Sequence, residues 1–232
     1  MKTRQFLLAT VALLFSVNAF AQQVLTVNFD KIKAEINDST GKFFYPNLVA
    51  RINALDTTMT SDDYYHLYYG NAFYATYSPY ATGENEKTFF ELIDREKFKE
   101  AITYGENELL TNPVNLKVLY WMLVCHHVME EIPTARKYAH MYYGLLYALF
   151  SSGDGKSMET AYVVLKVPDE YMALSDLELE ATGQSLIDMT DKLKIKTKGQ
   201  QPQKGEKKIK AVYFNVEMPF TKLRTLMSTE DK

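Results

Sequence analysis

Cysteine is nearly absent: Cys125 is the only one among 232 residues, so no disulfide can form within the chain and a packed apolar core has to hold it. A chain of this length can bury such a core. Cys125 lies in the run VLYWMLVC, which predicts a buried, inert thiol rather than a nucleophile. Positive charge is also in deficit, with 26 Lys and Arg against 29 Asp and Glu, a balance unsuited to neutralising the phosphates of nucleic acid. Histidine occurs four times, at His66, His126, His127 and His140. On a helix, adjacent His126 and His127 point about 100° apart and cannot share a metal as an i, i+4 pair does. Beside Glu130 and Glu131 they mark the place where a helix reaches water. Without a cysteine pair or a His-Glu spacing, no metal or cofactor is expected.

Reactive motifs are scarce as well. GDGKS, residues 153–157, looks like the end of a phosphate-binding loop, but Phe150 stands where the first glycine belongs and a helical pattern precedes it where a strand is needed. It reads as a turn. Ser61, Ser157 and Ser185 lack the Gly-x-Ser-x-Gly elbow that exposes a hydrolase nucleophile. The acidic pairs Asp62-Asp63, Glu130-Glu131 and Asp169-Glu170 each fall near a helix end, where solvated carboxylates are ordinary. No catalytic residue is assigned, and an enzyme is not expected.

What is present begins with an export pattern. Lys2 and Arg4 form a charged start, Phe6 to Val17 an apolar run, and Ala19-Phe20-Ala21 a small-x-small site, so residues 1–21 read as a signal peptide cleaved between Ala21 and Gln22. The apolar run is too short to cross a bilayer, which takes about 20 apolar residues. Losing Lys2 and Arg4 would leave 24 basic against 29 acidic side chains. The mature chain is expected outside the cytoplasm, periplasmic or extracellular, and not membrane-spanning.

By composition that chain divides near residue 152. Residues 22–152 carry helical patterns, and 153–232 alternate with a period of two, as in a small antiparallel sheet packed on the helices. The fold class is therefore α+β, as one continuous domain. Helices are predicted at NFDKIKAEIND and at YPNLVARINALD, with Pro46 in the first turn. Thr60 or Ser61 caps the next helix, DDYYHLYYGNAFYATYSPY, in which seven tyrosines fall within nineteen residues. Tyr64, Tyr65, Tyr68, Tyr69 and Phe73 lie on one side and His66, Gly70 and Asp63 opposite, so the aromatic side is expected to pack. Pro79 and the Tyr77-Ser78 step end the helix, leaving Tyr77 and Tyr80 as the candidate ligand-binding tyrosines. A helical signal then runs from Thr88 to Asn112-Pro113. VNLKVLYWMLVCHHVMEE, apolar nearly all round, is the expected central helix with Trp121 in the core. IPTARKYAHMYYGLLYALFSSG follows, closed by Gly153. Strands are predicted at AYVVLKV, LELEATGQSLI, DKLKIKT and IKAVYFNVEM, a short helix at Pro168, and a tail helix or strand extension at PFTKLRTLM. Lys198, Lys204, Lys207, Lys208 and Lys210 form a solvated loop that an anionic surface could meet.

Ala101 and Tyr104 recur as Ala135 and Tyr138 at an offset of 34 residues, the period of tetratricopeptide repeats. Over residues 95–150 the chain resembles such repeats, with Pro113 at the position of their turn, although Leu119 and Leu123 stand where a tryptophan and a glycine are favoured. FFYPNLVARINALD, DDYYHLYYGNAFYATYSPY, SGDGKSMETAYVVLKVPDEYMAL and VYFNVEM together resemble an exported family of Gram-negative, Bacteroidetes-type bacteria known as a domain of unknown function. That resemblance implies one continuous domain with a tetratricopeptide-like helical portion, and brings no activity or ligand. The leading expectation is a non-catalytic binding or scaffold module with a helical groove for a protein or peptide. The alternatives are a secreted hydrolase acting on peptide or glycan and a glycan-binding protein using exposed tyrosines. Mass spectrometry of the protein recovered outside the cytoplasm should find Gln22 as the first residue; a chain retaining residues 1–21 would refute the export reading.

Overall fold

The computed structural model describes residues 27–197 and 209–230. The expected signal segment, Ala21, Gln22 and four of the loop lysines (Lys198, Lys204, Lys207, Lys208) lie outside the described residues. Three helices come first, α1 (Phe29–Asn37), α2 (Tyr45–Asn53) and α3 (Ser61–Gly70), followed by a 3-10 turn at Asn71–Phe73. Thr60 and Asp63 form a capping box at the start of α3: each side chain takes the other's backbone N–H, satisfying donors the helix leaves orphaned. Four helices then pack each on the next: α4 (Glu84–Asp94), α5 (Phe98–Thr111), α6 (Leu116–Val128) and α7 (Ile132–Phe150). The rest is β1 (Tyr162–Val163), α8 (Val167–Asp176), β2 (Leu179–Ile187), β3 (Thr190–Thr197), β4 (Ala211–Asn215) and α9 (Glu217–Glu230). The architecture is α+β.

The single helical stretch expected from Thr88 is two helices, and α4 begins earlier, at Glu84. The break lies at Glu96, whose φ of 56° is left-handed. Leu55, Glu130 and Glu178, just beyond α2, α6 and α8, adopt the same conformation. Helices commonly end this way on glycine; here none of the four residues is glycine, so the punctuation is not written in composition.

The sheet differs from expectation in one pairing. Strand order is β1-β4-β3-β2, with β2, β3 and β4 antiparallel, but β1 runs parallel to β4, Tyr162 opposite Phe214. The sheet is mixed because α8 and the β2–β3 hairpin intervene between β1 and β4, giving the long return that a parallel pair needs. Leu193, Ile195, Val212 and Phe214 face inward as the alternation predicts, while Lys194 and Lys196 face water.

The most covered helix is α3, not α6. Tyr64, Leu67, Tyr68 and Tyr69 are buried, and the side expected to be open is covered too, with His66 stacked on Phe43 and Asp63 held by Arg51. On α6, Tyr120 is exposed and Trp121 only partly buried against the core. Helix α3 packs on α1, α2 and α7, and its tyrosines reach further. The Tyr68 hydroxyl donates to Asp169 Oδ2 at 2.7 Å and accepts from the Leu165 N–H. Tyr69 donates to the Val163 carbonyl at 3.2 Å, and Tyr77, beyond the helix, to the Leu165 carbonyl at 2.7 Å. The link from β1 to α8 is thus held by three phenols.

Phenylalanine would fill the same space but orphan those acceptors, and an unsatisfied buried carbonyl costs about 1–3 kcal/mol. Tyr77→Phe should lower unfolding stability by about 1–2 kcal/mol in urea titration, whereas Tyr64→Phe should cost clearly less, since among the described residues the Tyr64 hydroxyl meets only the Met141 sulfur. Equal losses would contradict this assignment.

Candidate functional site

Among the described residues an open cleft of about 510 Å³ lies between α3 and α7. Its α7 wall presents Arg136, His140, Tyr143 and Tyr147, spaced 4, 3 and 4 residues apart and so aligned on one side of the helix. Met59, Ser61 and Tyr64 line the opposite side. The two walls approach closely because Gly144 has no side chain: a Cβ there would lie 2.4 Å from the Tyr64 ring. The buried Tyr64 ring therefore rests directly on α7, with the His140 ring edge-on to it at 5.9 Å. Tyr143 and Tyr147 are 53% and 59% exposed, and their hydroxyls make no hydrogen bond among the described residues. Arg136 likewise has no ion-pair partner there. Aromatic contacts continue from Tyr143 through Tyr142 and Tyr120 to Trp121, carrying a belt of rings from α7 onto α6. Large exposed rings beside an unpaired guanidinium are the groups that anchor binding interfaces.

The turn singled out in the sequence is a different place. Tyr77, expected at the surface, is 4% exposed with its hydroxyl committed to Leu165, and Pro79 is buried as well. The chain leaves α3 at Gly70, earlier than Pro79 suggests, and Tyr77 then turns inward to meet the Leu165 carbonyl. Tyr80 remains outside, 46% exposed.

Beside Tyr80 lies a group of buried carboxyls, of which Asp169 and Glu170 are expected from the sequence to be solvated. Asp169 and Glu170, in the first turn of α8, are 5% and 0% exposed, and Asp191 on β3 is 4% exposed. Asp169 is paired with Tyr68, but burial pushes its pKa up to about 6 despite that bond and the nearby Lys166. Among the described residues no donor reaches either Glu170 oxygen. Burial first, then the facing Asp191 carboxyl, and then Asp169 push Glu170 up to about 9, so at neutral pH it keeps its proton. Gln184 holds Asp191 from the other side at 2.7 Å. Alternation along β3 carried the signal, since a period that turns Leu193 and Ile195 inward also turns Asp191 inward. For Glu170 the sequence offered none.

The remaining candidates are structural. Cys125 is fully buried and its thiol is pushed up to about 11 by burial. The four histidines are scattered: His66 is tied to Glu35 and the Asp62 carbonyl, His126 to Glu131, His127 is exposed, and His140 is in the cleft. Among the described residues no cluster of three His, Cys, Asp or Glu is arranged to hold a metal, and no helix is long and apolar enough to cross a membrane. GDGKS is the turn between α7 and β1, with Asp154 accepting from Lys156 and Thr160 and Gly155 at a φ of 65°. Gly153 does not close α7, which ends at Phe150; it leaves room for the Thr160 carbonyl, 2.4 Å from where its Cβ would be.

The raised pKa of Glu170 means that the folded state holds the proton more tightly than the unfolded chain. Its contribution to stability is complete below about pH 4.5 and declines as the pH rises toward about 9; Asp169 behaves alike from 3.8 to about 6. Glu170→Gln should therefore flatten the fall of stability between pH 6 and 9 and raise stability at pH 8 by about 1–3 kcal/mol, read from thermal or urea unfolding. A slope unchanged by the substitution would place Glu170's carboxyl in water.

No curated protein and no solved structure matches the chain. A family model does, across residues 30–224, a span reaching from α1 into α9 and so including both the cleft and the buried carboxyls. The chain belongs to the DUF4919 family, a domain of unknown function.

Proposed function

We propose that the protein is an exported, non-catalytic binding module, its helical portion a tetratricopeptide-like array that presents the α3–α7 cleft to a protein or peptide. One observation carries the reading. The face of α7 turned away from the core offers an aligned arginine, histidine and two tyrosines along a cleft, and among the described residues none of their polar groups is hydrogen-bonded or ion-paired. Folding does not require such a stripe, whereas a partner would use it. The carboxyls with the largest pKa displacement, Glu170 and Asp169, are walled in by Tyr68, Gln184 and the sheet and have no part in the cleft, which argues for structure rather than catalysis there.

The array reading draws on spacing. Helices α5 and α7 start at Phe98 and Ile132, 34 residues apart, and Ala101 and Ala135 are both buried at equivalent positions. Stacked helical hairpins leave an extended surface along one side, the usual binding surface of such proteins. Export follows from the residues 1–21 pattern, and the resemblance to Bacteroidetes-type exported proteins agrees with it.

A photo-cross-linking residue at position 147 tests the proposal. In cells it should trap a specific protein adduct, and the same residue at position 91, an exposed site on α4, should not. Identical products from both sites, or none from 147, would remove the basis for the cleft as the binding surface.

A further inference from the structure

One cleft wall is α7, whose backbone N–H and C=O groups are engaged within the helix except at the ends, and the other is the first turn of α3 with Met59 just before it, so neither is a strand. An incoming chain therefore finds no strand edge to extend, which excludes the mode of peptide capture that relies on main-chain ladders. A partner helix would need an unbroken apolar trough, but this cleft interleaves Ser61, Arg136 and His140 with its apolar groups. Another general mode suits what is present: a polyproline II segment has no internal hydrogen bonds, packs proline rings on aromatic faces and offers its carbonyls to side-chain donors. Tyr143 and Tyr147 supply the exposed rings, with hydroxyls that make no hydrogen bond among the described residues.

Charge and spacing narrow the occupant further. Although the chain carries a formal charge of −3, α7 contains no acidic residue, and among the described residues Arg136 has no ion-pair partner at its end of the stripe. A helix rises about 1.5 Å per residue, so Tyr143 and Tyr147 are about 6 Å apart along α7 and Arg136 is about 10 Å from Tyr143. A polyproline II chain advances about 3.1 Å per residue, so these steps correspond to about two and about three residues. Resting on the proposed binding role of the cleft, we infer that its occupant is an extended, acidic, proline-bearing peptide, with a carboxylate on Arg136 and prolines about three and five residues away on Tyr143 and Tyr147. The arginine fork suits a carboxylate better than a lysine would, since it donates two parallel N–H bonds.

The probes are fluorescein-labelled Glu-Ala-Ala-Pro-Ala-Pro and its reverse sequence, each paired with a Gln-for-Glu version, titrated against the full chain by fluorescence anisotropy. At least one Glu probe should bind saturably and about three- to fivefold more tightly than its Gln partner, an exposed ion pair being a modest contribution. Arg136→Ala should abolish that preference. Tyr147→Ala should weaken both versions at least tenfold, with unfolding curves unchanged because the side chain is largely exposed. Absence of saturable binding by every probe, or binding indifferent to Tyr147→Ala, overturns the inference. So does Tyr147-dependent binding of an oligogalacturonate in place of the peptides, which would assign the rings and guanidinium to an acidic sugar. A protein adduct at position 147 with no response to any probe would reject this peptide class while leaving the binding-module reading intact; loss of both would reject the module as well.

Discussion

The structure depends on phenolic hydroxyls that carry α3 into the second half of the chain. Tyr68, Tyr69 and Tyr77 hold a backbone link that passes from a two-residue strand into α8 and has little secondary structure of its own. Each ring contributes burial in the helical half and each hydroxyl satisfies a polar group in the other. The helices and the sheet are joined by the same side chains that make the core. An aliphatic core could pack as tightly but would leave the 163–169 carbonyls and carboxyl without donors, at a cost of the same order as a whole domain's margin of stability if several failed together.

That dependence accounts for the polar groups drawn inside. Asp169 is buried because Tyr68 meets it, and its neighbour Glu170 follows into a space where Asp191 is the facing group. Two carboxyls without a cation are compatible with a dry interior when one keeps its proton, which is the direction in which burial and the like charge both act. The buried acids thus belong to the joint between helices and sheet. The α7 stripe has the opposite character: Arg136, Tyr143 and Tyr147 are exposed and aligned, their polar groups without a hydrogen bond or ion pair among the described residues, on a helix whose other side, through Met141, Leu145 and Leu149, is fully buried.

Much of the architecture was legible in the sequence because it rests on local pattern. The alternation of Leu193 and Ile195 and of Val212 and Phe214, the cap at Thr60, Pro46 and the apolar spacing of α1 and α2 each depend on near neighbours in the chain. The break at Glu96 escaped because its left-handed turn is made without glycine, and the parallel β1–β4 pair escaped because it joins segments some fifty residues apart. Of the candidate site, the spacing from Arg136 to Tyr147 was there to be read, but helical spacing does not say which stripe of an aromatic-rich helix faces water. Tyr77 and Tyr80 show the same limit, since two similar residues three apart went to opposite environments.

By itself the sequence determined that this is an α+β chain with no internal disulfide, cored by aromatic helices and finished by a small sheet, because composition and periodicity act within a few residues. Only the tertiary structure decided that α3 is the hub, that Tyr77 is a joint rather than a surface contact, that Glu170 is enclosed beside Asp191, and that α3 and α7 leave a cleft between them. Each of these turns on which distant segment comes to lie against a side chain. Burial and the partner found there, rather than residue type, set whether a tyrosine or carboxyl serves packing or stays free for a ligand.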